Sequence, residues 1–395
     1  MKNFEGISDS ANKHKIAIIC VGYNRLHSLE CLFSSLEQAH YPSNDIPLVV
    51  SIDASGDEDV YAFVREYIWP YGDKYVNIQT ERLGLKKHIY KCGDLSQYFK
   101  GIIILEDDSF VAPYFYEYAE TALSKYSDDI KISGISLYIS HNNEYVNVPF
   151  WPLNKGADVF LLQDVQTRGE CFSWGMWSKF KEWLKDNENR DYAEVLMPEP
   201  IKSWTKAWSK YYYAYMVESE TYFVYPYTSF VTNMGAVGEH ANKIINVVQV
   251  ALEYGKKKYV MPDSSFLVRY DAFYSNEDIY VMLGYEKLDL CIDYYGFNKN
   301  ISNRRYLLSC KRLPYLVVKS FGLHMCPIEM NIRYNIPGEC LYLYDTYTRS
   351  GKPAKKEYDA LSYVYCKHNP PLMLSYVIRW YKARVINKIK CILRK

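Results

Sequence analysis

The sequence predicts an α/β fold, a mostly parallel Rossmann-like sheet flanked by helices, with a smaller C-terminal region after it. Three observations carry this. Apolar, strand-like runs begin near residues 15, 46, 75 and 101, a spacing of roughly 25 to 30 that βαβ units demand. The run at 101–105 (GIIIL) shows no polar alternation, as expected of a parallel strand buried on both faces. It then ends in three consecutive carboxylates, Glu106, Asp107 and Asp108, at the carboxyl end where open α/β sheets bind their ligands.

The elements follow in order. Residues 15–21 (KIAIICV) read as a strand, and 26–39 carry helical periodicity. The next strand is 46–52, followed by a helix over 57–69 with acidic residues in its first turn. A short strand at 75–79 and a helix at 85–98 lead into the strand at 101–105. Pro113 then opens a helix as an N1 residue, running to about Tyr126. Neither a GxGxxG after the first strand nor a GxxxxGK[ST] occurs, which excludes the dinucleotide fingerprint and the Walker loop. From 128 to 240 the pattern is irregular and aromatic-rich, and beyond 241 the regular alternation is lost. The expected division is a lead at 1–14, a main domain at 15–240, an accessory region at 241–365 and a tail at 366–395.

Composition narrows the class. The 395 residues suffice for a large core, and a net charge of +1 gives no electrostatic case for nucleic acid as a partner. The 41 tyrosines suit contact with sugars, each offering an apolar face and a hydroxyl, although a compositional habit reads the same way. Ten cysteines show no CxxC and no zinc-like spacing, which fits a reducing cytosol. The N-terminus lacks an apolar signal core, and no apolar run approaches the roughly 18 to 20 residues needed to span a bilayer. Three adjacent carboxylates repel one another, and an oxygen-seeking divalent cation is the usual remedy. A solvated acidic loop is the alternative.

Four stretches taken in order, CVGYNRLHSLECLFSSL (20–36), VVSIDASGDED (49–59), IIILEDDSFVAPYFYEY (102–118) and FSWGMWSKF (172–180), resemble those of GT-A glycosyltransferases. The nearer likeness is to bacterial members and to the enzyme that adds the first branching GlcNAc to N-glycans. A fifth stretch, FVYPYTSFVTNMGAVGEH (223–240), resembles the close of the catalytic domain in bacterial relatives. The resemblance implies a nucleotide-sugar donor and Mn²⁺ or Mg²⁺ as cofactor. It makes Asp108 the metal ligand of a DxD-type motif, places Glu106 and Asp107 against the ribose or donor sugar, and sets Asp53 to accept from the base. It also puts Arg25 near the diphosphate. Each has a plainer alternative: Asp53 as a turn cap, Arg25 as a helix cap or partner of Glu30. Lys86, Lys87 and, more weakly, His88 are phosphate candidates or ordinary helix residues. An inverting relative also needs a general base. The acid expected after a downstream tryptophan is absent, because Trp208 is followed by Ser209 and Lys210. Glu170 replaces it as the candidate, with Asp158 and Asp164 as alternatives and an exposed Glu170–Arg168 pair as the plain reading. Trp174 and Trp177 lie by the sugar site or in the core, and His240 is a possible second metal ligand. A family member that binds nucleotide-sugar or glycan without turnover is the rival reading.

The tail stands apart from the resemblance. Leu374, Val377, Ile378, Tyr381, Val385, Ile389 and Ile392 recur at helical spacing, amid seven basic residues from Arg379 to Lys395 and no acid. That is the pattern of a basic amphipathic helix on an anionic membrane surface, or of a packed terminal helix with a solvated basic face. The expected location is cytoplasmic, peripheral to the inner face of the membrane, with a lipid-linked glycan as acceptor.

Overall fold

The structure is a computed structural model that describes residues 7–8, 10–235, 248–298 and 304–352, with scattered positions between 374 and 386. The first half follows the expected alternation. It runs β1 (Ile16–Gly22), α1 (Leu26–Glu37), β2 (Leu48–Ile52), α2 (Glu58–Glu66), β3 (Lys74–Ile78), α3 (Leu85–Asp94), β4 (Gly101–Glu106), β5 (Ser109–Val111) and α4 (Phe115–Tyr126). Several boundaries differ from expectation, among them the helix expected over 57–69, which ends at Glu66. The helix predicted to reach 98 stops at Asp94 and tightens into a 3₁₀ turn over Leu95–Tyr98. Pro113 is not the first helical residue. The Ala112 amide donates to Phe230 and the Pro113 carbonyl accepts from His40, so the chain is still tied to its neighbours there and turns helical only at Phe115.

The second half supplies β6 (Ile132–Ser136), β7 (Asn142–Asn143), β8 (Val148–Pro149), β9 (Val159–Leu162), β10 (Glu170–Phe172), α5 (Trp174–Asn187), α6 (Glu199–Lys202), α7 (Trp208–Glu218), β11 (Tyr222–Pro226) and β12 (Val231–Asn233). The nine-stranded sheet has the order β13-β9-β11-β6-β10-β4-β1-β2-β3, where β13 is Arg269–Tyr270. β1 to β4, β6 and β11 run parallel; β9 and β10 run against them. The large sheet thus continues past residue 240, where the accessory region was expected to begin. A short strand at β13 carries too little alternation to be seen in sequence.

Side-chain alternation sets the two layers. Ala17, Ile19, Val21, Ile102 and Ile104 point to the face covered by α3, α5 and α7 through Ile89, Trp177 and Tyr212. Ile16, Ile18, Cys20, Ile103 and Leu105 point to the opposite face, met by Leu29, Val60 and Ala119 of α1, α2 and α4. Further along the chain come α8 (Asp278–Leu283), β14 (Leu290–Ile292), β15 (Tyr306–Ser309), β16 (Tyr315–Phe321), α9 (Glu329–Arg333) and β17 (Leu341–Arg349). These strands form a separate four-stranded sheet with its own small core around Leu308, Leu341 and Leu343.

Candidate functional site

Because β1, β2 and β4 are parallel neighbours, their carboxyl ends deliver Arg25, Asp53 and Glu106–Asp108 to one edge of the sheet. β10 enters from that same edge in the opposite sense, so Arg168 and Glu170 arrive beside them. Before that, the chain from 163 to 169 crosses back over the sheet, pinned where the Tyr225 hydroxyl donates to the Asp164 carbonyl at 3.0 Å. Five acids and two arginines, from four separate segments of the chain, meet at this edge.

Arg25 is the centre of the arrangement. Its guanidinium forks onto Asp107, with Nε at 3.2 Å from one oxygen and Nη2 on the other, while Nη1 reaches Asp108 at 2.9 Å. The second Asp108 oxygen accepts from Asn233 Nδ2 at 2.8 Å, and the Asp108 carbonyl accepts from the Met234 amide. β12 pairs with β5 in register Asn233↔Ser109, which is what brings Asn233 there. Sequence reasoning missed Asn233, although it lies within the fifth stretch quoted above. The plain alternatives for Arg25 do not hold, since it pairs with neither Glu30 nor a helix end.

Beneath this layer the carboxyls are strongly perturbed. Burial pushes Glu106 up to about 8, with Asp108 and Asp107 adding repulsion and Arg168 and Arg25 opposing it. Burial pushes Asp107 up to about 6 against the pull of Arg25. Glu170 is raised well above the usual carboxylate range by burial, then by Glu106. Glu106 and Glu170 share a face because Glu170 pairs with Ile104, two residues before Glu106 on the same side of the pleat. Glu170 is therefore no surface acid: it is 2 % exposed, and the Arg168 guanidinium instead meets Gln166 at 2.7 Å and Glu144 at 3.8 Å.

Several expected residues are engaged structurally. Asp53 accepts from the amides of Leu83 at 2.8 Å, Gly84 at 2.9 Å and Ala54 at 2.9 Å, so its carboxylate anchors the turn that opens α3. Gly84 has φ +73, a conformation that only glycine takes without strain, and it places the amide toward Asp53. Lys86 pairs with Glu188 at 2.8 Å over the Tyr211 ring, and Lys87 is exposed. His88 is buried on Ser51 Oγ at 2.7 Å, and burial lowers it to about 4, so it stays neutral and is no phosphate ligand. Trp177 belongs to the core: it is fully buried, donates to Asp94 at 2.8 Å and packs on Gly93, where a Cβ would lie 2.1 Å from its ring. Trp174 is 41 % exposed. Asp158 is tied to Lys257 and the Val260 amide, and Asp164 is enclosed by Tyr145, Tyr274 and Gln166, so neither suits a base. Trp208 opens α7 and is buried, with Ser209 behind it. His240 and the last residues of the tail lie outside the described residues.

Among the described residues no three His, Cys, Asp or Glu side chains converge on one point. A hard divalent ion needs only one or two protein carboxylates when diphosphate oxygens fill its remaining positions. Asp107 and Asp108 meet that requirement in type and proximity, because one guanidinium spans both.

No family model and no curated protein matches the sequence. In fold the chain is similar to GT-A glycosyltransferases, the class its motifs resemble. It is 15 % identical to S. aureus TarS 1–349 in complex with UDP-GlcNAc, covering 57 % of this chain and 60 % of that one with a TM-score of 0.33. It is 13 % identical to the mannosyltransferase PcManGT from Pyrobaculum calidifontis in complex with GDP-Man and Mn²⁺, covering 56 % and 59 % with a TM-score of 0.33. For GalNAc-T7 with UDP, GalNAc and Mn²⁺ the identity is 13 %, the coverage 56 % and 44 %, and the TM-score 0.40. The chain thus spans about three fifths or less of the lengths of these structures.

Proposed function

We propose that this chain is a glycosyltransferase that moves a sugar from a nucleotide-diphosphate donor, a UDP-sugar, to a lipid-linked glycan acceptor in surface polysaccharide synthesis, with inversion and with Mn²⁺ or Mg²⁺. One observation carries the reading: Asp107 and Asp108, at the carboxyl end of the central strand, share one arginine, with Glu106 and the buried Glu170 close enough to repel through their charges. Asp108 would hold the ion, with the Asp107 carboxylate beside it on the same guanidinium, and the ion when bound would neutralise charge gathering on the diphosphate leaving group. In this reading Arg25 binds that diphosphate and Asp53, beyond the amides it already holds, accepts from the base. Glu170, buried on the face of the sheet that also carries Glu106, is the candidate to take the proton of the acceptor hydroxyl. The apolar tail side chains Leu374, Val377, Ile378, Tyr381 and Val385 are exposed alongside Arg379 and Lys382, which supports a membrane-facing tail. Among the described residues no helix is long and apolar enough to cross a membrane.

The absence of a carboxylate after Trp208 favours a second reading, a relative that binds nucleotide-sugar without turnover. A metal-dependent screen of nucleotide-sugars for binding and slow hydrolysis separates the two. Asp108→Asn should abolish most Mn²⁺-dependent nucleotide binding and turnover while the circular dichroism spectrum stays unchanged. Full turnover in that variant, with metal still required, removes Asp108 from the site.

A further inference from the structure

We infer that Arg25 is a displaceable internal cation: it neutralises Asp107 and Asp108 and is released toward the donor diphosphate when a divalent ion takes those carboxylates. This rests on the glycosyltransferase reading and deepens it, because it makes metal and donor binding mutually dependent through one side chain. The geometry is specific. Both Asp107 oxygens and one Asp108 oxygen are occupied by a single guanidinium, and the other Asp108 oxygen is occupied by Asn233. A cation held between these two carboxylates would compete with that guanidinium for the same oxygens. Asp107 is 3 % exposed, so loss of Arg25 without a replacement would leave a buried carboxylate beside Glu106 and Asp108 unneutralised.

Release is feasible because of where Arg25 sits. It occupies the N-cap position of α1 with no side-chain cap bond, so its side chain leaves no helix end unsatisfied when it moves. The Arg25 side chain is about a quarter exposed, at 23 %, so it has an outlet to the edge where a donor would lie. Guanidinium binds phosphate with the same two-pronged geometry it uses on carboxylate, so a diphosphate is a suitable second partner. The two carboxylates are thus held by the residue that the complete donor–metal pair would recruit.

The test uses the full-length protein and Mn²⁺ as probe, read by electron paramagnetic resonance of free ion, with UDP added in a second series. Arg25→Met should bind Mn²⁺ alone about tenfold more tightly than wild type, since the competing charged hydrogen bonds are gone. Without metal it should melt at a lower temperature, and Mn²⁺ should restore more stability to it than to wild type. UDP should tighten Mn²⁺ binding less in Arg25→Met than in wild type. Arg25→Lys, which keeps charge without the fork, should fall between the two and covers the case in which Arg25→Met does not fold. Equal or weaker Mn²⁺ binding by both variants, with wild type binding Mn²⁺ and UDP normally, overturns the inference and leaves the proposed function standing. If wild type binds neither, both fail.

Discussion

Replacing Asp53 by alanine separates a structural role from a recognition role. The carboxylate accepts from two amides, Leu83 and Gly84, that lie some thirty residues away at the opening of α3, and from its neighbour Ala54. A hydrogen bond to a charged group contributes roughly 1.5–3 kcal/mol, and partial access of water to the turn returns some of it. The two long-range bonds together therefore give an expected loss of about 2–4 kcal/mol. For a domain of this size that corresponds to a fall in melting temperature on the order of 10 °C. Asp57→Ala is the internal control. Asp57 caps α2 through a single bond to the Val60 amide at 3.2 Å, and its loss should cost only about 1 kcal/mol. Both variants are read by thermal and urea unfolding without ligand. The reasoning is refuted if Asp53→Ala loses no more stability than Asp57→Ala. Nucleotide binding is then measured at a temperature where the variant is folded. Loss of preference for uridine over guanosine diphosphate supports base recognition, whereas equal weakening of both assigns Asp53 to the turn alone.

Glu170→Gln should lower turnover with little change in donor affinity and remove the limb of the pH profile set by its ionisation; near-normal turnover would transfer the role to Glu106, its neighbour on the same face. His88 is held at about 4 by burial, below its unfolded value of 6.5, so the unfolded chain takes up a proton that the folded chain refuses. Its contribution is present above about pH 6.5 and is lost as pH falls to 4, some 3 kcal/mol in all; a His88→Asn variant should show a flatter acid limb in stability, and an unchanged slope would show that another group sets it. Deleting residues 372–395 should move the protein from membrane to soluble fractions, as high salt should in part for the intact chain. Retained binding of the truncated protein to anionic vesicles would place membrane contact elsewhere.

The sequence by itself determined the first half of the fold. Runs such as IAIIC and IIIL bury both faces inside a parallel sheet, and their spacing leaves room for one helix each, so the alternation and the parallel direction followed. Glu106–Asp108 were legible for the same reason, since the carboxyl end of a central strand is fixed once the strand is. What depended on contacts between distant segments was not legible. Whether Asp53 faces a base or a turn, whether Glu170 lies at the surface or under Glu106, and whether Trp177 meets sugar or core are decided by partners up to 83 residues away, as with Trp177 and Asp94. The strand at Arg269–Tyr270 is two residues long and exists only because β9 offers it an edge. Arg25 shows the division most clearly. Its position after the first strand put it near the acids, but its grip on Asp107 and Asp108 arises because β1 and β4 are hydrogen-bonded neighbours, and only the assembled sheet makes them so.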